Sequence, residues 1–164
     1  MIRDAKFQDI PDVVDFLKSS YLRTHYAEHG VAGIDIKEAK RLLVASVQRH
    51  GHKTGGGCWV QVAETDGVIT GLLLGTLARV YVIGDKLMAT DLFWVTSPMA
   101  DPRDAGNLVR AFIEWARSCP HVVEVRCGTT SIIGSPEDGG AILKRLGLED
   151  YGRIYRASIE EMAI

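Results

Sequence analysis

At 164 residues, 46% hydrophobic and 24% charged, the chain can close one core without disulfide or metal staples, which argues against a disordered protein and for a single domain over residues 1–164. A formal net charge of -2 gives no global basic field and disfavours nucleic-acid binding driven by bulk charge. Cys58, Cys119 and Cys127 are an odd set without CxxC spacing, against a disulfide framework or cysteine zinc site. Residues 1–6 are charged where a signal peptide needs an apolar run, and no apolar stretch approaches the ~20 residues that span a bilayer. The expectation is a cytoplasmic protein with no membrane partner.

Residues 2–5 read as a short strand. Asp9-Ile10-Pro11 then opens a helix with an acidic N-cap and proline in its first turn, and Val13, Val14, Phe16, Leu17 and Tyr21 form its apolar face. A second helix is predicted over 36–50, amphipathic and basic on its outer face through Lys37, Lys40 and Arg41. Gly51 and the run Gly55-Gly56-Gly57 end it.

The period then changes. Residues 58–64 alternate as a strand, Thr65-Asp66-Gly67 is a hairpin turn, and strands follow over 68–80 and 87–96. Connections this short exclude a wholly parallel sheet, because parallel neighbours need long crossovers. After the meander, residues 103–118 form an amphipathic helix leading into a strand over 122–127, which predicts one right-handed strand-helix-strand crossover. A helix near 140–146, stopped by Gly147, and a terminal strand or hairpin over 148–159 complete the chain. The predicted class is α+β, a mixed and mostly antiparallel sheet flanked by helices.

One joint carries chemistry. Asp91-Leu92-Phe93-Trp94-Val95-Thr96-Ser97-Pro98 ends a strand, and Arg103-Asp104-Ala105-Gly106-Asn107-Leu108 opens a helix. Free backbone N–H groups and the positive end of the helix dipole suit an anion such as a pyrophosphate. A lone glycine at a helix start is otherwise an ordinary joint. His25 and His29 are four apart, and His50 and His52 lie in a loop, but no cysteine or HExxH pattern accompanies them, so no metal is expected.

The order of elements and two joints resemble the GNAT superfamily of acyl-CoA-dependent N-acyltransferases, over nearly the whole chain. The family's R/Q-x-x-G-x-G/A motif is matched by Arg103-Asp104-Ala105-Gly106 through four positions, with Leu108 standing where the family keeps a small residue. Ile142-Leu143-Lys144-Arg145-Leu146-Gly147-Leu148 is similar to a late helix-turn-strand joint, with Leu143 where the family often has a proton-donating tyrosine. The segment 111–117 further resembles small phage-encoded members.

The resemblance implies a GNAT-like splayed sheet and acetyl-CoA as cosubstrate. It implies a diphosphate on the backbone of Arg103, Asp104, Ala105, Gly106, Asn107 and Leu108, with Arg103 adding charge. The pantetheine arm would run along the strand edge after Val95, and N–H groups near Val95 or Thr96 would polarise the thioester. Asp91 is the candidate base, four residues before Val95 and on the same face of an unbulged strand, with Glu64 a weaker alternative. Tyr155 or Tyr151 would stand in for the missing acid, or bulk water would serve. Thr129, Thr130 and Ser131 are further cofactor contacts of the family type.

The function so implied is acetyl transfer to a primary amine by direct attack, on a small molecule or macromolecule, with a homodimer an allowed assembly. The rival, prompted by Leu108 and Leu143, is a GNAT-like CoA-binding or regulatory protein without catalysis. A third reading, modification of a nucleic-acid amine or a host protein, would draw on Lys37, Lys40 and Arg41.

Overall fold

The computed structural model describes residues 1–30 and 32–159. Its elements in chain order are β1 (Ile2–Asp4), a 3-10 turn (Phe7–Asp9), α1 (Ile10–Tyr21), α2 (His25–His29), α3 (Ile36–Gln48), β2 (Cys58–Thr65), β3 (Val68–Arg79), β4 (Leu87–Thr96), α4 (Asp104–Arg117), β5 (Val122–Arg126) and α5 (Pro136–Arg145). The strands form one sheet in the order β1-β2-β3-β4-β5. All neighbours are antiparallel except β4 and β5, which are parallel and joined through α4. The expected α+β class, the meander and the single crossover are all present.

Period-two alternation in β3 divides the core between the two faces of the sheet. Leu72 and Leu74 pack with Val13, Val14, Phe16 and Leu43 under α1 and α3. Leu73 and Leu77 pack with Leu108, Val109, Phe112, Trp115 and Leu143 under α4 and α5. The turn into β3 is set by Asp66 and Gly67, both at positive φ, the two-residue geometry whose twist matches a hairpin.

Two local expectations are corrected. Asp9 stands at the N-cap of α1 but its side chain does not cap that helix: its carboxylate closes a capping box on the preceding 3-10 turn, accepting from the Lys6 N–H at 2.7 Å, and is gripped by Arg3. The predicted strand over 148–159 does not form; those residues adopt neither helix nor strand. A strand needs a partner edge for its N–H and C=O groups, and this segment is tied instead by side chains, Lys144 to Asp150 at 2.9 Å and Tyr151 near Tyr81. Among the described residues no helix is long and apolar enough to cross a membrane.

The register between β3 and β4 slips by one residue. Leu74 faces Phe93 while Gly75 faces Asp91, so Leu92 is the extra residue of a bulge. Gly75 is glycine for a packing reason, since a Cβ there would lie 2.3 Å from the Phe112 ring. Gly75→Ala should therefore destabilise the fold by about 2–3 kcal/mol, because a central strand under α4 has no room to yield. Urea unfolding checks this, and Phe112→Leu in the same chain should recover part of the loss.

Candidate functional site

β4 and β5 pair only from Leu87 opposite Val122 to Thr90 opposite Arg126. Beyond Thr90 the two strands part while β4 runs on to Thr96, so the sheet splits at its parallel seam. The split begins earlier than the expected point after Val95. The indole of Trp94 bridges from β4 to α4, donating to the Ala105 carbonyl at 3.1 Å. Its ring also lies against α5, where a Cβ on Gly139 would sit 3.5 Å from Trp94 and 2.7 Å from Thr129.

Asp91 stands where the split opens. Its Oδ1 accepts the Gly128 N–H at 3.0 Å, spanning the gap to the segment after β5, and Oδ2 has no donor from another residue among those described. Burial raises its pKa above the ordinary carboxylate value, and the Gly128 N–H opposes that rise only in part. The neighbouring Cys127 thiol is pushed up to about 12, by burial first and then by the Asp91 charge. It is a poor nucleophile at neutral pH, because the thiolate is the reactive form.

The bulge overturns the expectation that Asp91 and Val95 share a face. Asp91 is paired with Gly75, beneath Phe112 on the α4 side, whereas Val95 is paired with Leu72 and packs on the α1 and α3 core. An extra residue between two positions reverses their relation across the pleat.

Val95 and Thr96 differ in a second way. The Ser97 N–H donates to the Thr70 carbonyl at 2.7 Å. In an extended strand this alternation turns the Val95 N–H towards β3 and leaves the Thr96 N–H and C=O on the open side of β4. Of the two expected thioester-polarising groups, only Thr96 thus faces the split. Its carbonyl is met there by Arg23, which follows α1 and donates from Nη2 at 2.9 Å.

The start of α4 has the expected geometry with an unexpected charge balance. Arg103 directs its backbone N–H, Nε and Nη2 to Asp101 at 2.9, 3.1 and 2.8 Å. The Arg103 guanidinium holds the Asp101 carboxyl far below the usual carboxylate range. Asp104 is buried, with its carboxylate 3.4 Å from the Met1 α-ammonium. The Asp104 N–H is spent on the Asp101 carbonyl and the Asn107 N–H on the Arg103 carbonyl, both at 2.9 Å. Ala105 and Gly106 present N–H groups with no acceptor among the described residues. These two are the orphan donors that a helix start offers an anion.

Leu108 does not crowd this turn. It is fully buried and points into the core, near Gly71, so the motif's large sixth residue is a packing residue here. Gly106 has ordinary space, since an added Cβ would meet only Ile142 at 3.6 Å. Leu143 is likewise buried in the core and offers no proton.

Other candidates lie apart. Tyr155 is 85% exposed, and no hydrogen bond or ring contact ties it to β4 or α4. Tyr151 and Tyr81 both meet the Arg126 guanidinium, which lies 4.9 and 5.6 Å from the two ring centres. Glu64, on β2, is bound at 2.8 Å by Arg3 of the edge strand β1. Among the described residues no group of three or more His, Cys, Asp or Glu is placed to hold a metal. A groove of about 430 Å³ opens between α1 and the start of β3, lined by Asp12, Asp15, Phe16 and Thr70. It borders neither Asp91 nor the first turn of α4, so the split is the better site for the chemistry.

Solved structures of similar shape cover both chains nearly end to end. A predicted acetyltransferase with acetyl-CoA from Clostridium acetobutylicum is 15% identical at a TM-score of 0.66, covering 99% of this chain and 97% of its own. A ribosomal-protein-alanine N-acetyltransferase from Brucella melitensis is 14% identical at 0.65, covering 97% and 98%. A transcriptional regulator from Bacillus halodurans is 16% identical at 0.69, covering 97% and 99%. No family model and no curated protein matches the chain. A sheet split at its one parallel seam and a helix opening beside it, in an architecture shared over whole chain lengths, give this protein the fold of the GNAT acetyltransferases.

Proposed function

We propose that the protein is an acetyl-CoA-dependent N-acetyltransferase acting on a primary amine by direct attack. The observation that carries this reading is the pair of unsatisfied N–H groups at Ala105 and Gly106, beside a strand whose open edge presents the Thr96 N–H and C=O. The first pair suits a diphosphate and the second an amide-bearing arm. The fold's likeness to a structure holding acetyl-CoA agrees with both.

In the reaction the amine nitrogen bonds to the thioester carbon, the carbon–sulfur bond breaks, and the sulfur leaves with the electron pair. Asp91 takes the proton that the attacking nitrogen sheds, through Oδ2 and directly or by one water. A carboxylate with a raised pKa is better matched to that task than an ordinary one. The leaving thiolate takes its proton from water, since neither Leu143 nor Tyr155 is placed to give one. A thiol pKa of about 8.5 makes that tolerable.

Acetyl-CoA should stabilise the chain by mass action, about 2.7 kcal/mol at a concentration one hundred times Kd, or roughly 5–10 °C for a chain of this size. Gly106→Ala should leave the unliganded Tm nearly unchanged, given the room around that Cα. Gly106→Glu places a negative side chain at the donors and should weaken acetyl-CoA at least about tenfold. Calorimetry with both variants checks this, and no heat with the unaltered protein would sink the proposal.

A second reading, a CoA-binding or regulatory protein without turnover, draws on the buried Leu143 and the likeness to a protein named as a transcriptional regulator. Acetyl-CoA binding without thiol release across amine, peptide and nucleic-acid acceptors would favour it.

A further inference from the structure

The diphosphate of CoA carries at least two negative charges at neutral pH, and the motif arginine is the expected counter-charge. In this chain that charge is already taken. Arg103 makes three bonds to Asp101, two of them from its guanidinium, and the adjoining Asp104 adds a second carboxylate at the head of α4. The Met1 α-ammonium lies against Asp104, and Arg110, one turn further along, is bonded to Asn107 Oδ1 at 2.7 Å. The first turn of α4 therefore offers two N–H donors and no surplus positive charge.

Arg23 differs from Arg103 and the Met1 ammonium, whose charges face carboxylates. Among the described residues its guanidinium meets a neutral acceptor, the Thr96 carbonyl at 2.9 Å, and no carboxylate. Its backbone is fixed rather than loose. The Arg23 N–H donates to the Ser20 carbonyl at 3.1 Å, and the buried Thr24 beside it bonds the Tyr21 carbonyl at 2.7 Å and caps α2. Thr96 in turn adjoins α4. Its Cγ2 and the Leu108 Cδ1 converge on Gly71, lying 3.1 and 3.5 Å from the place of a Cβ there, and Trp94 on the same strand bonds Ala105. A guanidinium on Thr96 thus lies at the open edge of β4, the strand whose Trp94 reaches the first turn of α4 at Ala105.

We propose that Arg23, from the loop after α1, supplies the cation that neutralises the CoA diphosphate, and that Arg103 instead holds the Asp101 turn that shapes the start of α4. This rests on the acetyl-CoA reading above and names a binding residue outside the motif. It has a mechanical corollary. The Thr96 carbonyl is the acceptor an incoming pantetheine amide would use, so Arg23 exchanges that carbonyl for a phosphate oxygen as the cosubstrate enters. A planar guanidinium pairs with phosphate in two parallel bonds, which a carbonyl cannot return.

The test is calorimetry on the full chain with acetyl-CoA, ADP and acetyl-pantetheine. Arg23 is exposed, so Arg23→Gln should keep the unliganded Tm. It should weaken acetyl-CoA and ADP at least about tenfold and leave acetyl-pantetheine within threefold, while Arg103→Gln changes acetyl-CoA less than Arg23→Gln does. Arg23→Lys should recover part of the loss, and the salt dependence of acetyl-CoA binding should flatten in Arg23→Gln. Equal weakening of acetyl-pantetheine would overturn the proposal, because Arg23 would then act through the strand edge. So would a larger loss in Arg103→Gln than in Arg23→Gln. If the unaltered protein binds no acetyl-CoA, the functional reading falls and this proposal with it. If it binds and Arg23→Gln binds equally well, only this proposal falls.

Discussion

Asp91→Asn is expected to lower acetyl transfer at least about a hundredfold while leaving acetyl-CoA affinity and the fold intact. The magnitude is that of removing a positioned general base. The fold survives because asparagine keeps a carbonyl oxygen that can accept the Gly128 N–H across the split, the one bond the Asp91 carboxylate makes to another of the described residues. The sign of the stability change follows from the direction of the pKa shift. Burial raises the folded pKa above the unfolded value, so the folded chain holds this proton more tightly. That favours folding at acid pH and is withdrawn as pH rises through the folded value. At neutral pH the ionised carboxylate opposes folding, and an uncharged asparagine should hold the Tm level or raise it.

Catalysis has the opposite pH dependence. The base must be ionised, so kcat/KM should climb with pH through a value above the ordinary carboxylate range and then level off. Thiol release from acetyl-CoA with a panel of amines reads the rate, and a thermal melt of the same sample reads the stability. A purely structural Asp91 predicts the reverse pattern, with Tm falling and any turnover unchanged.

The reasons for that placement were only partly legible beforehand. The boundaries of β4 and the hairpin before β3 could be read because Asp66-Gly67 and period-two alternation are local signals. The bulge at Leu92 is not local. Nothing in Asp91-Leu92-Phe93 marks it, and it follows from Gly75 and Phe112 meeting across the sheet. It is the bulge that moves Asp91 away from the face of Val95. The place of the Leu108 side chain was hidden for a related reason: a motif says which position is small in other chains, while packing beside Gly71 decides whether a large side chain points at the loop or into the core. The strand expected over 148–159 fails because pairing depends on an edge that sequence alone does not supply. Asp101-Pro102-Arg103 carried a usable signal, an aspartate two residues before the N–H it bonds. Arg23 carried none, since its significance depends on the open edge of β4 alone.

The largest loss of stability should come from Arg3→Ala, about 3–5 kcal/mol, or roughly 10 °C in Tm. Arg3 holds Asp9 through two parallel bonds of 2.8 and 2.9 Å and reaches Glu64 from Nε at 2.8 Å. The Asp9 side chain is only 8% exposed, so losing the guanidinium strands a carboxylate away from water, with the Lys6 N–H as its remaining donor. The arginine holds the Asp9 carboxyl below its ordinary value of 3.8. The pair therefore adds stability that is full above the unfolded pKa and is lost as pH falls through the depressed folded one. In Arg3→Ala the bond and the charge are gone, burial raises the Asp9 pKa instead, and protonation relieves the strain. The Tm gap between the two chains should accordingly narrow as pH falls from 7 towards about 3. Arg3→Met separates the two contributions of this residue, since it keeps most of the aliphatic stem; a gap that is small in Arg3→Met and constant with pH would mean that the stem, not the ion pair, does the holding. The same strand carries the Met1 ammonium to Asp104, and the Glu64 N–H bonds the Met1 carbonyl at 2.8 Å. A loosened β1 would therefore release the Asp104 carboxylate at the head of α4, adding uncompensated negative charge where the proposed acetyl-CoA site lies, so acetyl-CoA affinity should fall along with the Tm.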